Sequence, residues 1–184
     1  MPIPSTQLAL IAEAHALGLN DAAIAQYAGV SLSSVKRYRT HLRLPTTSVT
    51  QLRGKQGEQL LARLAVARGL RVVWAPGHKA EYDLVIGDAR VDVKTAAQRP
   101  DGTWRFRLPP TRPSFNSTYT YPKEYAADCD LLALVALFPD ERDPDVYFVE
   151  SATVPTNIVV GPGSVYDAFK NDWTAFETPT FLAA

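Results

Sequence analysis

The chain has 184 residues, 46% of them hydrophobic and 21% charged, enough for one sizeable core and a small satellite. No run approaches the ~18 uninterrupted apolar residues of a membrane span, and the N-terminal MPIPSTQLALIAEAHALGL lacks the basic start and cleavage site of a signal peptide, so a cytoplasmic protein without a membrane partner is expected. The single Cys129 excludes an internal disulfide, and with His15, His41 and His78 scattered it forms no zinc pattern; the formal net charge is zero but unevenly spread. From Ser31 to Arg71 stand Lys36, Arg37, Arg39, Arg43, Arg53, Lys55, Arg63, Arg68 and Arg71 against the single acid Glu58, and after Lys123 the balance turns acidic. Alone, such a run describes a solvated helix surface.

Residues 6–42 carry helical periodicity with punctuation that divides them into helices over 6–17, 21–28 and 32–42. Asn20 and Ser31 stand at N-cap positions. The second and third helices are separated only by Gly29, Val30 and Ser31, a connection that forces a steep crossing and needs positive φ at its corner, which Gly29 supplies. Ile24, Ala28, Val30, Val35, Tyr38 and Leu42 fall on the inward side. Ser33, Ser34, Lys36, Arg37 and Thr40 fall on the outer face of the third helix. The stretch DAAIAQYAGVSLSSVKRYRTHL resembles the helix-turn-helix of bacterial and phage DNA-binding proteins. The resemblance implies that the third helix enters a major groove, where serine and arginine reach base edges or phosphates. A protein-interaction module with a basic face is the alternative.

The polar stretch after Pro45 reads as a linker over 47–53, dividing a 1–46 domain from one over 54–184. A helix is predicted over about 55–69, then strands in LRVVWA, EYDLVI, ARVDVKT, WRFRL, DLLALVALF and VYFVES, and a last amphipathic helix in SVYDAFKNDW. The order predicts an α/β fold, a mixed sheet covered by helices.

The chemistry concentrates in EYDLVIGDARVDVKT. A two-residue turn at Gly87-Asp88 pairs the flanking strands so that Asp83 lies opposite Asp92, with Lys94 on the same face. Tyr82, Leu84, Ile86, Val91 and Val93 take the other face. Directly opposed β-carbons lie about 5 Å apart, and like charges so placed repel. A divalent cation resolves the conflict, because Mg²⁺ takes one or two protein carboxylates and leaves room for water and phosphate.

Asp83 followed by Asp92-Val93-Lys94 resembles the D...(D/E)xK signature of the PD-(D/E)xK nucleases, which include restriction endonucleases and Holliday junction resolvases. Glu58, near the start of the helix in RGKQGEQLLARLAVARGLRVV, resembles the acid that many members place before the first strand. Tyr82 replaces the name-giving proline, and Asp92 the commoner glutamate. The likeness spans roughly 54–150 and implies a restriction-endonuclease-like αβββαβ domain. It implies that Asp83 and Asp92, the Val93 carbonyl and Glu58 hold Mg²⁺, with Mn²⁺ as a substitute. Lys94 would position the water that hydrolyses a DNA phosphodiester, leaving a 5′-phosphate.

Arg53 and Lys55 follow the small domain as candidate phosphate contacts, and Arg105 and Arg107 share one face of WRFRL as further ones. The expected partner is double-stranded or branched DNA, and the expected active species is a homodimer. The aromatics Phe169, Trp173, Phe176 and Phe181 exceed what a short terminal helix buries. His78 reads as an exposed turn residue, the aromatics around Phe115 as loop anchors, and Cys129 as a small buried side chain. A junction-resolving or repair nuclease is the alternative within the enzyme class. A regulator whose nuclease fold has lost activity is the alternative outside it.

Overall fold

The structure is a computed structural model that describes residues 3–77, 80–113 and 119–177; His78, Phe115 and Phe181 lie outside these residues. The chain divides into two compact units, Met1–Arg53 and Gly54–Ala184.

In the first unit α1 (Ser5–Ala16), α2 (Asp21–Ala28) and α3 (Leu32–His41) share a core of Ile11, Ala14, Ile24, Ala28 and Val35, all buried. The Asn20 side chain accepts the amides of Ala22 and Ala23, and that of Ser31 accepts the amide of Ser34, so both caps satisfy donors that the first helical turn leaves open. Gly29 ends α2 with φ 62°. Tyr38 packs on this core, and its hydroxyl accepts the Ile3 amide at 2.9 Å. Leu42, expected inward, is exposed instead, because α3 ends at His41 and the apolar stripe stops with it. The segment read as a linker is tied back: Thr47 Oγ1 donates to the Leu19 carbonyl, and His15 Nε2 bonds the Pro45 carbonyl.

Helix α4 (Val49–Ala67) begins well before the expected Lys55, so the predicted linker is partly helical. Val49 and Leu52 on its first turns are exposed, which leaves no buried stripe there for a sequence pattern to detect. Farther along, Leu61, Ala62 and Ala65 are buried against the sheet.

The central sheet is mixed and runs in the order β1 (Val72–Trp74), β2 (Leu84–Ile86), β3 (Ala89–Ala97), β7 (Leu131–Leu137), β8 (Asp145–Glu150). Only the β3–β7 pair is parallel; the other neighbours are antiparallel. Arg90 clasps Asp130, with the Arg90 amide at 2.7 Å and a guanidinium nitrogen at 2.8 Å, and so fixes the start of β3 beside the entry to β7.

The two sheet faces are packed differently. Leu84, Ile86, Val91, Val93, Ala133, Val135, Val146 and Phe148 meet α4 on one face. Leu132, Leu134, Ala136, Tyr147 and Val149 meet Trp104, Phe106, Leu108, Ile158 and Val160 on the other. These partners come largely from a two-stranded ribbon of β4 (Trp104–Arg107) and β9 (Asn157–Val160); Trp104 Nε1 donates to the Leu137 carbonyl at 2.7 Å and anchors it. A hairpin of β5 (Thr111–Pro113) and β6 (Thr120–Pro122) and a short α5 (Tyr125–Asp128) lie between β4 and β7 in sequence.

Two expectations are corrected here. Tyr82 packs with the ribbon-side core rather than beside Leu84 and Ile86, because residues 81–83 bend and break the strand period before it. The helix expected in SVYDAFKNDW is absent; a 3-10 turn (Asp167–Phe169) stands within the segment, and the short α6 (Thr174–Glu177) begins only after it. Asn171, at φ 54°, instead exchanges bonds with Val146: the Asn171 amide donates to the Val146 carbonyl, and Asn171 Oδ1 accepts the Val146 amide at 2.9 Å. This covers the open edge of β8.

Candidate active site

The turn at Gly87, with φ 61°, closes the β2–β3 hairpin and pairs Ile86 with Ala89 and Leu84 with Val91. Asp83 precedes that ladder, offset from it by one residue: its amide donates to the carbonyl of Val91, the partner of Leu84, and its carbonyl accepts the Ala75 amide, both at 3.0 Å. Its backbone partner is therefore Val91, and the expected direct opposition of Asp83 and Asp92 gives way to this offset, because the chain bends at residues 81–83. One Asp83 carboxylate oxygen accepts the Val93 amide at 2.7 Å. Burial, and then the Asp92 charge, raise the Asp83 carboxyl above its ordinary range, with the Val93 amide, Lys94 and Lys123 pulling the other way.

Asp92 is 3% exposed, near the start of the parallel β3–β7 contact, where Leu132 is its partner. A carboxylate so buried must be compensated. Lys94, two residues along the same face, bonds one of its oxygens. Lys123 bonds the other at 2.5 Å and also donates to the Glu81 carbonyl at 2.8 Å. The ammoniums of Lys94 and Lys123 lie 5.5 and 5.1 Å from the centre of the Tyr125 ring, whose phenol is raised by burial and by the Asp92 charge. The buried Cys129 thiol is pushed up to about 11, first by burial and then by the Asp92 charge.

Glu58 joins from α4, half-buried, with its carboxyl raised by burial and then by the Asp83 charge, against the pull of Lys55 and Lys94. Gly57, the residue before it, explains the approach. A Cβ at position 57 would overlap the Thr95 side chain on β3, so only glycine lets α4 lie this close to the strand.

The structure thus brings Asp83, Asp92, Val93 and Lys94 together on one hairpin, with Glu58 within electrostatic reach. Sequence reasoning missed Lys123. It lies at the foot of the β5–β6 hairpin, where its amide donates to the Pro110 carbonyl, and its only trace in the sequence is a lysine after a proline in an aromatic loop. Lys55 is exposed and Arg53 partly so. Arg105 and Arg107 project outward from β4 into an open cleft, where Arg105 donates to the Asn157 side chain at 3.1 Å. In the first unit Ser33, Lys36, Arg37 and Thr40 are exposed, and Arg37 lies 4.8 Å from the Tyr38 ring. Ser33 and Ser34 turn their hydroxyls to Ser31 at 2.9 Å, and Thr40 donates to the Lys36 carbonyl.

The donors around Asp83 and Asp92 are oxygens, the chemistry that suits a hard cation such as Mg²⁺ rather than a softer metal. The Asp83 and Glu58 carboxyls are raised first by burial and then by a neighbouring carboxylate, a charge that a cation would offset. The donor set fits such a cation. Among the described residues no three His, Cys, Asp or Glu side chains form a ready-made metal cluster, and the compensation that Asp92 has comes from two ammoniums.

The fold is similar to that of a solved structure, the bacterial homing endonuclease I-Ssp6803I, with a TM-score of 0.53 and 19% identity over 70% of this chain and 93% of that one. No protein-family model and no curated protein matches the sequence. Among the described residues no helix is long and apolar enough to cross a membrane.

Proposed function

We propose that this chain is a metal-dependent DNA endonuclease of the PD-(D/E)xK kind, placed on DNA by its N-terminal helices. The observation that carries the reading is the juxtaposition on one hairpin of Asp83, Asp92 and Lys94, with Asp83 close enough to feel the Asp92 charge, like charges that a strand selected only for packing would not gather. A fold similar to that of a homing endonuclease supports it.

Asp83 and Asp92 would hold Mg²⁺ or Mn²⁺, with the Val93 carbonyl and Glu58 as further donors. When bound, the cation neutralises charge on the phosphodiester and lowers the pKa of a water molecule. Lys94 would orient the attacking water and offset charge that develops on the phosphate. As an alternative to holding the cation, Glu58 would take the proton that the water loses. Arg105 and Arg107 would grip phosphates, and α3 would present Ser33, Lys36 and Arg37 to a major groove.

The test is incubation of the purified chain with supercoiled plasmid and with a four-way junction, in Mg²⁺ and in EDTA. Cleavage confined to the Mg²⁺ arm is expected, and a preference for the junction would favour a resolving nuclease. An intact plasmid and junction in Mg²⁺ at every protein concentration would refute the reading.

The active species is proposed to be a homodimer, because two antiparallel strands are cut most simply by two sites related by a two-fold axis. Of the C-terminal aromatics, Trp173 and Phe176 pack on Phe148, with ring centres 4.8 and 4.9 Å away, while Phe169 stays exposed and available to a partner copy. Light scattering with and without DNA should show the dimer at least in the bound state; a monomer in both states that breaks both strands in one binding event would contradict it.

A further inference from the structure

We propose that Lys123 is a second functional lysine of this site, one that balances Asp92 until a divalent cation does so and then engages a phosphate of the bound DNA. The inference rests on the endonuclease reading and assigns to it a residue outside the hairpin signature.

Asp92 lies at the centre of these charges. Its side chain is almost fully buried, and each oxygen has its own ammonium, Lys94 on one and Lys123 on the other. Lys94 follows from the β period, but Lys123 comes from a different part of the chain, thirty-one positions away, and is held by its own contacts: the Glu81 carbonyl, the face of Tyr125 and the Pro110 carbonyl behind its amide. Its side chain is only 11% exposed. Such burial fixes the ammonium beside the carboxyls rather than leaving it to sample solvent.

The charges give this lysine two states. Without a metal, the carboxyls of Asp83 and Asp92 face the ammoniums of Lys94 and Lys123, two charges against two when all are ionised. A divalent cation leaves these groups with two positive charges, which phosphates of the bound DNA neutralise. The cation also competes directly with Lys123 for Asp92, since two positive groups on one carboxylate repel each other. The displaced ammonium remains tethered at the foot of the β5–β6 hairpin, beside the carboxyls and free to bond an anion. Lysine suits this exchange because its ammonium acts as a point charge whose donors rotate freely.

The proposal predicts opposite signs for two quantities, and neither is an activity. Calorimetric titration of Mg²⁺ or Mn²⁺ into the full chain without DNA should show Lys123→Gln binding the cation roughly tenfold more tightly than wild type, the effect of removing a charge that shifts a neighbouring carboxyl by about one pKa unit. Duplex affinity measured with and without Ca²⁺ should show a metal-induced gain in wild type and in Lys123→Arg that is lost in Lys123→Gln. Unchanged or weaker metal binding by Lys123→Gln, or an undiminished gain in DNA affinity, overturns the proposal.

Acetylation of wild-type lysines, followed by mass spectrometry, tests the same point without a variant. Modification of Lys123 should rise when Mg²⁺ is added and fall again with DNA, and a rate indifferent to metal overturns the exchange. If the wild-type chain binds neither cation, the endonuclease reading falls with this one. If it binds metal and Lys123→Gln behaves as wild type, only the role of Lys123 is lost.

Discussion

Gly57→Ala tests whether α4 is held against β3 at a distance only glycine allows. On an isolated helix the change would stabilise, since alanine is favoured over glycine by about 1 kcal/mol. Here the new Cβ would meet Oγ1, Cγ2 and Cβ of Thr95 inside van der Waals distance, and Thr95 is fixed in the longest strand of the sheet. Overpacking of this kind costs about 1–3 kcal/mol, and more when backbone must move. We expect a net loss of about 1–2 kcal/mol, a fall in melting temperature of roughly 3–8 °C for a unit of this size. Trp74, Trp104 and Trp173 all lie in the Gly54–Ala184 unit, so tryptophan fluorescence during urea denaturation reports on that unit alone. Thr95→Ala by itself should be close to neutral, because the hydroxyl it removes is buried without a partner. In the Gly57→Ala background it should recover part of the loss, and only part, since the Thr95 Cβ remains in the way. A Gly57→Ala chain as stable as wild type, or a double variant with no recovery, would refute the close approach that carries Glu58 to the site.

Asp83→Asn should change the pH dependence of stability in one direction. The folded protein raises the Asp83 carboxyl, so ionising it costs more in the folded chain than in the unfolded one, and stability drains away as pH climbs from the ordinary value of about 3.9 through the raised one. Relative to wild type, the variant should therefore gain stability with rising pH across that window and stay level outside it; chemical denaturation at several pH values decides, and a constant difference would contradict the cause assigned. Mg²⁺ should raise the melting temperature of wild type and leave Asp83→Asn unmoved, since a ligand at 100 times its Kd adds about 2.7 kcal/mol to a state that holds its seat. On the first unit, Arg37→Ala should lower affinity for a preferred duplex by about 1–3 kcal/mol and flatten sequence preference, whereas Arg53→Ala should weaken all duplexes alike and reduce the salt slope by about one. Equal effects of the two on preference would remove Arg37 from base recognition.

The parts legible in the sequence are those fixed by short-range geometry. Gly87-Asp88 between two alternating runs sets the hairpin register from Ile86 and Ala89 to Leu84 and Val91, whereas the bend before Leu84 shifts Asp83 off the expected position opposite Asp92. Asn20, Gly29 and Ser31 mark three helix ends through local hydrogen bonds and a positive φ. What escaped depends on distant partners. Lys123 acquires its meaning only from Asp92, and Gly57 only from Thr95. Tyr82 was misplaced because a bend interrupts the strand period that assigned its face. In SVYDAFKNDW the apolar spacing suggests a helix, but Asn171 exchanges bonds with the edge of β8, and that tertiary pairing outweighs a weak local preference. Strand β9 eluded the pattern because the apolar side of NIVV exists only against β4.

The central claim is that Asp83, Asp92 and Lys94 form one hydrolytic centre. Plasmid cleavage in Mg²⁺ by Asp83→Ala, Asp92→Ala and Lys94→Ala, each checked for folding by tryptophan fluorescence and for DNA binding by gel shift, tests it most directly. Loss of cleavage with duplex binding retained in all three is the predicted result. Wild-type cleavage rates in all three variants would contradict it.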